Sequence, residues 1–556
     1  MPVFRVLKTY RSLQRLREIL AVLTRHGFGH LIGRLGIRQH LPYLFRQGPD
    51  LPVRFIGREE TIARRLRLAF QELGPTFVKF GQILSGRPDM VPEEFIRELE
   101  KLQDQVEPFP SDEATTILET ELKASLSDVF QSFDAAAIAS GSIGQAHQAK
   151  LRDGTEVILK IRRPEVERTI LTDLDILHYL ATLSERYLPE VRIFRPVMMI
   201  DELGRTLRKE VDFLTEASTT QKFQKMFEGR TEIRAPHVYW EWSSSKVLVL
   251  ERLRGGSIGD RKRLVSLGLD PRALAADLAG AFMLQYFTAG LFHADPHPGN
   301  ILVSETGQIG LIDFGMVGVL TPELKRSLGS IVLALVRGDV RRILEIAGEL
   351  GVLPDDTPLE DLQPDIADYI DKYFAVPLDR IESHELFTEL MRIVQKHHLY
   401  LPRDFVLLGK SLVTVISVAQ SLDPHFRLSE AARPYFVRLL LAKFSPKEWL
   451  RIVSSSFWSF AIPLGDLPRE IRTWLRRSHR SQITTNFRYD QLEIMTRTLA
   501  KATNRLGLSI VLASVLVSSA IYFQALGGTR LGWVGFAISG VLSLILAVGI
   551  LRSGQV

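Results

Sequence analysis

From Leu291 to Gly315 the chain reads LFHADPHPGNILVSETGQIGLIDFG. Asp295, Asn300 and Asp313 in this stretch have the types and spacing that phosphoryl transfer needs. In that chemistry one aspartate orients the attacking oxygen, while an asparagine and a second aspartate hold Mg²⁺ against the nucleotide phosphates. Two short apolar runs, Ile301-Leu302-Val303 and Ile309-Gly310-Leu311-Ile312, predict buried strands turning at Glu305-Thr306-Gly307. Such a hairpin brings Asp313 back beside Asn300. An H-x-D-x-x-x-x-N loop or a D-F-G triplet alone is ordinary turn chemistry, but the two in order, one hairpin apart, are not explained by loop composition. His293 is expected to pack beneath the loop rather than carry a proton, and His397 and His398 read as packing or surface residues rather than metal ligands.

Composition sets the frame for this chemistry. The chain has 556 residues, enough for two or three domains and a large core. With no cysteine it has no disulfide, no thiol nucleophile and no Cys-ligated metal, which suits a reducing compartment. The net charge of +6 favours anionic partners. Because the basic residues flank apolar stretches, lipid head groups are the expected partner and nucleic acid is not.

The elements that would position the site can be read in order. Before Asp50 the only acid is Glu18, and Leu13, Leu16, Ile19, Leu20 and Leu23 mark one face of a basic helix. That helix either lies on an anionic membrane or docks on its own protein with a solvated basic face; a transit peptide is the other reading of an Arg-rich, acid-poor start. Gly74 and Pro75 open a second helix that Gly86 and Pro88 end, with Lys79 and Gln82 projecting together from it. Small residues at Ser140, Gly141, Ser142 and Gly144 would let backbone N–H groups approach phosphate oxygens. Gln145–Leu151 and Glu156–Ile161 then read as a hairpin turning at Asp153-Gly154, with Lys160 on the return strand. Helical periodicity follows over Val166–Leu188 and, without a break, over Met198–Phe227, where Asp212 and Glu216 share a face and Glu210 points about 120° from Glu216. Ala273–Ala289 is an apolar helix ended by Gly290, and residues 321–440 are helical.

Several of these stretches, in this order, resemble the UbiB/ADCK family of atypical kinase-like proteins. Lys79-Phe80-Gly81-Gln82 is similar to its K-x-G-Q signature, residues 140–147 to its Ala-rich nucleotide loop, and Glu210-Val211-Asp212 to its E-x-D motif. The stretches His293–Asn300 and Asp313–Gly315 are similar to its catalytic and metal loops. The resemblance covers roughly residues 55–440, on the scale of a large domain pair. It implies an α+β, two-lobed kinase-like fold that binds ATP and Mg²⁺. Lys160 would then touch the nucleotide phosphates and pair with Glu216, and Glu210 and Asp212 would meet Lys79 and Gln82. Glu251 would begin a hinge reaching adenine through backbone groups. The Lys79 contact would lay the N-terminal helix over the cleft where a protein kinase admits a peptide, leaving room for ATP and a small or lipid-like molecule.

The domains expected are basic helices at 1–54, a K-x-G-Q extension at 55–110, a small lobe with a helical insertion at 111–250 and a large lobe at 251–440. A basic, aromatic interfacial linker follows at 441–505, then a transmembrane helical hairpin at 506–551. Leu506–Leu526 and Trp533–Leu551 contain no Asp, Glu, Lys, Arg or His, and each approaches the roughly 20 residues a bilayer needs. Arg497, Lys501, Arg505 and Arg552 at their ends place the kinase-like domain on the cytoplasmic side of the inner membrane. The function implied is a membrane-anchored kinase or ATPase supporting ubiquinone or other isoprenoid-quinone biosynthesis, with quinone precursors and quinone-biosynthesis enzymes as partners. The alternatives are a small-molecule phosphotransferase of the aminoglycoside or choline kinase kind and a catalytically idle membrane scaffold. The sequence departs from the family at Gly141, where the Ala-rich loop has its last alanine. Gly141→Ala is therefore expected to bind Mg-ATP more weakly by calorimetry, and equal or tighter binding would refute this reading of the loop.

Overall fold

The computed structural model describes residues 10–35, 60–102, 106–354, 357–374 and 383–427, with four isolated positions at 513, 514, 517 and 541. The chain divides into two units, Met1–Glu448 and Trp449–Val556, and every element below belongs to the first. The expected linker at 441–505 lies outside the described residues, as does the expected membrane hairpin apart from those four positions.

Helices α1 (Tyr10–Leu23), α2 (Ile62–Leu73) and α3 (Pro75–Ser85) are among those that precede the small lobe. Helix α3 starts as its sequence dictates: Gly74 takes φ 94°, a conformation open to glycine, and Pro75 occupies the first turn. The small lobe contains α4 (Ser111–Leu122), β1 (Phe130–Phe133), β2 (Ala139–Ser140), β3 (Gly144–Leu151) and β4 (Glu156–Arg162). Three helices are then inserted, α5 (Val166–Tyr187), α6 (Pro196–Val211) and α7 (Phe213–Met226). After β5 (Ile233–Arg234), β6 (Val247–Glu251) completes an antiparallel sheet in the order β1-β3-β4-β6, with β2 added on β3. The hairpin turn is where Asp153-Gly154 places it, with Gly154 at φ 89° and Thr155 N donating to Asp153 Oδ1.

The break between α6 and α7 departs from the continuous helix read over Met198–Phe227. Asp212 is extended (φ −94°, ψ 99°), and its carboxylate accepts from Leu214 N, so it acts as an N-cap rather than a mid-helix residue. Groups freed at the break find partners elsewhere: Arg162 donates to Val211 O, and Phe213 N donates to Ser245 O. Asp212 and Glu216 therefore do not share a helix face.

The large lobe adds β7 (Gly256–Ser257), α8 (Pro271–Met283), β8 (Leu291–His293), β9 (Ile301–Val303), β10 (Ile309–Leu311) and β11 (Val317–Val319). Its four-stranded sheet runs β5-β10-β9-β7, so it recruits β5 from ahead of the hinge, and β11 pairs with β8 separately. The β9–β10 hairpin has the register Leu302↔Gly310, as the alternating apolar runs require. Helices α9 (Pro322–Arg337), α10 (Val340–Glu349), α11 (Leu359–Phe374), α12 (Ser383–Lys396) and α13 (Arg403–Leu422) close the lobe. Among the described residues, α13 is the helix long and apolar enough to cross a membrane. Its buried Leu407, Val415 and Ala419 share one cluster with Leu274, Leu278 and Phe282 of α8, which makes it a core helix of the large lobe.

The N-terminal helices belong to the same body. In α1 the stripe of Leu16, Ile19, Leu20 and Val22 is buried while Gln14, Arg17 and Glu18 are exposed. Leu16, Phe77, Leu174, Leu207 and Leu248 join one cluster running through α1, α3, α5, α6 and β6, and each such side chain contributes about 1.5–3 kcal/mol. Arg15 fixes the register: its guanidinium donates to both oxygens of the wholly buried Asp173 at 2.8 and 3.1 Å and to Leu73 O at 2.6 Å. Of the three expectations for this segment, docking on its own protein is the one that the buried face of α1 matches. Asp173→Ala leaves Arg15 at this interface with only the exposed Glu18 as a carboxylate partner. It should destabilise the docked helix by about 3–5 kcal/mol, read as faster proteolysis within residues 10–35 while the kinase-like lobes stay resistant.

Candidate active site

Strand β4 alternates: Val157, Leu159 and Ile161 are buried beneath α4, so Lys160 lies on the opposite face. There its ammonium is 2.5 Å from Glu216 Oε1, in the first turn of α7, and 3.6 Å from Asp313 Oδ1. Asp313 takes φ 59°, a left-handed conformation costly for a residue with a side chain and characteristic of functional sites. Its Oδ1 accepts from Gly315 N at 3.2 Å. The Lys160 charge holds the half-exposed Asp313 carboxyl down to about 2. Burial works against the Lys160 ammonium, but Asp313 and Glu216 together outweigh it and keep the amine protonated far above the ordinary lysine range. Burial, with Asp313 adding to it, raises Glu216, and Lys160 opposes that rise.

The loop at 293–300 is tied to the turn at 313–315 through His293. This residue is wholly buried, its Nδ1 accepts from Asp295 N at 3.2 Å, and its Nε2 lies 3.2 Å from Ile312 O. Burial lowers its pKa, so a neutral ring donating through Nε2 satisfies both contacts. Ile312 N donates to Asn300 O, so Asn300 and Asp313 finish the two arms of one hairpin, as expected. Asn300 Nδ2 donates to Asp295 O at 3.2 Å, which leaves its amide oxygen as the free ligand atom. An ionised carboxylate and an amide oxygen are the hard donors that Mg²⁺ prefers, so Asp313 and Asn300 fit that ion.

Asp295 has a partner that the sequence reading missed. Lys410 of α13 places Nζ 3.3 Å from Asp295 Oδ1. The next residue, Ser411, is wholly buried, donates to His293 O at 2.7 Å and lies 2.8 Å from the Tyr286 hydroxyl. The available signal was a solitary charge: between Phe405 and Leu422 the helix carries no ionisable residue but Lys410.

Between the lobes lies a cavity of about 850 Å³ whose lining includes Ser140, Gly141, Gly144, Lys160, Glu216 and Asp313. The small-residue loop meets it differently from the expectation. The Gly141 amide is used by Gly144 O at 2.8 Å. Arg163 clamps the loop, donating to Gly141 O at 2.9 Å, to Ser140 Oγ at 2.7 Å and to Glu107 O, with its guanidinium over the Phe109 ring. Ser142 is wholly buried and is not part of the lining. Gly144 is required by packing, because a Cβ there would sit 2.6 Å from Ile161 O. The loop is a pinned turn that still lines the cavity, with the Gly141 amide already bonded within the loop.

Lys79 Nζ lies 2.5 Å from Glu210 Oε1, and both line the cavity. The other half of the expected contact does not form: Gln82 donates to Leu102 O, and Asp212 caps α7. Gly81 has a packing reason of its own, since a Cβ there would run into Leu102. Glu251 ends β6, where the hinge is expected to begin. Its carboxylate accepts from Arg234 and from His237 N, its own amide donates to His237 O, and it lines a separate cavity of about 380 Å³ with Glu156, Arg252 and Arg254. Of the backbone groups expected to reach adenine, the Glu251 amide is thus already bonded to His237 O.

A family model of the ABC1 atypical kinase-like domain matches residues 101–347, one of the UbiB helical domain matches 366–427, and one of the ABC1/UbiB kinase-like C-terminal domain matches 490–552. Over 471 residues the chain is 35% identical to a Xylella fastidiosa (strain 9a5c) protein called probable protein kinase UbiB, covering 84% of this chain and 85% of that one. The chain belongs to the UbiB family of atypical kinase-like proteins. A UbiB of Xanthomonas oryzae pv. oryzae, also called a probable protein kinase, is 34% identical over 528 residues, 92% of this chain and 94% of its own. Among solved structures, a Mycobacterium tuberculosis protein in complex with erythromycin is 23% identical, covering 64% of this chain and 91% of that one with a TM-score of 0.46. In UbiB terms, α1 to α3 with Lys79 lie ahead of the ABC1 domain, and Lys410 falls in the UbiB helical domain.

Lys160→Met would leave Glu216 buried beside the Asp313 carboxylate without its cation. It should cost about 3 kcal/mol in chemical denaturation, and adding Glu216→Gln should recover part of that loss. A single variant as stable as the parent would show that the pair is not coupled.

Proposed function

We propose that this protein is a membrane-associated, ATP-dependent atypical kinase or ATPase that supports isoprenoid-quinone biosynthesis. The observation that carries the reading is the convergence of Lys160 from the small lobe with Glu216 and Asp313 on one cavity, at 2.5 and 3.6 Å. Lys160 would hold the nucleotide phosphates, and Glu216 would keep its amine aimed at them. Asn300 and Asp313 would hold Mg²⁺, which when bound neutralises charge on the phosphate oxygens. Asp295 would orient the attacking oxygen of an acceptor or of water. Catalysis of this kind is mostly positioning and electrostatics.

The Lys79–Glu210 pair supports a small or lipid-like acceptor over a peptide, because it ties the N-terminal extension across the same cavity that Lys160 and Asp313 line. The charge-free runs at 506–526 and 533–551 support anchoring in the cytoplasmic membrane, where a quinone precursor would be met.

Full-length protein in lipid nanodiscs should turn over ATP only with Mg²⁺, and chelation should abolish the activity. Asp295→Asn and Asp313→Asn should each lower turnover by about 100-fold or more, and a strain lacking the protein should accumulate quinone intermediates. Turnover unchanged in Asp313→Asn would remove the basis for the reading.

A further inference from the structure

Lys410 stands out for where it is spent. It is the one charge between Phe405 and Leu422, in a helix whose Val406, Leu407, Val415 and Ala419 are buried in the large-lobe core. An apolar residue there would pack without the cost of placing an ammonium beside the core. Its backbone position is fixed by its neighbour, because Ser411 is buried and bonded to His293 O and to the Tyr286 hydroxyl. A further anchor lies seven residues earlier, where Arg403 is 3.4 Å from Glu202, itself held by Arg87 at 2.9 Å. Seven residues turn a helix through nearly two full turns, so Arg403 and Lys410 share a face.

The side chain, by contrast, is held loosely. Lys410 Nζ and Asp295 Oδ1 are 3.3 Å apart, and both side chains are 35% exposed. Tight charged pairs close to about 2.7–2.9 Å. The basic group nearest in the loop itself, His297, is turned onto its own chain, where Nδ1 accepts from Gly299 N. The large-lobe side of the site, Asp295, Asn300 and Asp313, thus presents carboxylates and an amide, and its cation comes from α13.

We propose that Lys410 is a further phosphate-binding residue, resting on Asp295 in the nucleotide-free protein and passing to the transferring phosphoryl group when Mg-ATP enters. It approaches from the acceptor side, while Lys160 approaches from the small lobe. The ammonium makes and breaks no covalent bond; it acts by charge on a group that becomes more exposed during transfer. This inference rests on the Mg-ATP reading above and adds the residue that distinguishes the transferring group from the bound diphosphate.

The test compares two ligands on full-length protein in nanodiscs: Mg-ADP, and Mg-ADP with tetrafluoroaluminate as a mimic of the phosphoryl group in transit. Calorimetry on the wild type should show tighter binding of the second. Lys410→Met should bind Mg-ADP within about threefold of wild type but lose about 10- to 100-fold on the fluoroaluminate complex. Lys410→Arg should recover part of the loss. In steady state Lys410→Met should lower kcat with little change in the KM for ATP. Normal Mg-ADP binding by Lys410→Met also shows that the variant is folded. If that variant binds the fluoroaluminate complex as tightly as wild type, the role of Lys410 is overturned and the Mg-ATP reading stands. If the wild type binds neither ligand, the Mg-ATP reading itself falls.

Discussion

The ammonium of Lys160 sits between two carboxylates that reach it from different parts of the chain, and the rest of the site is arranged around this charge. Glu216 arrives from an inserted helix and Asp313 from the end of a large-lobe hairpin. Burial raises the Glu216 carboxyl and the amine opposes that rise, while the same amine lowers the half-exposed Asp313 carboxyl. The β4 register that sends Lys160 to one face, the N-cap that starts α7 and the left-handed turn at Asp313 can all be understood as means of delivering three charges to one place. The cavity is lined by all three of these charges, which is what the proposed magnesium-nucleotide site rests on.

Much of this was legible in the chain, for reasons that can be named. Asp295, Asn300 and Asp313 are linked by one short hairpin, so spacing alone constrains their geometry. The β3–β4 turn carries its own chemistry in Asp153-Gly154, and Gly74-Pro75 marks the start of α3 as local rules require. What was missed was decided at long range. Asp212 has the same periodicity as its neighbours and reads as helical until Arg162 and Ser245 are seen to take the groups freed at the break. The small-residue loop looked like a phosphate cradle because glycine permits many things; that Arg163 pins it from 22 residues away is a tertiary fact. Lys410 lies 115 residues beyond Asp295, and only a solitary charge in an apolar helix hinted at it.

The K-x-G-Q extension is not an appendage. Its helices share a buried cluster with the insertion and with β6, and Arg87 just beyond α3 binds both oxygens of Asp89 and both of Glu202. Removing an extension so connected would expose apolar surface on the small lobe as well as uncovering the cavity. Stability and access to the site are thereby linked through the same residues.

The chain's break at Asp212 has a mechanical consequence. Because the backbone is extended between Glu210 and Glu216, the two acids ride on separate rods joined at one pivot. A tilt of the first rod that draws Glu210 and the covering helix aside would leave the second, with its grip on the nucleotide lysine, where it is. On the proposed function, opening a path for a bulky acceptor then need not disturb the residues that would align the phosphates, as it would if one unbroken helix carried both contacts.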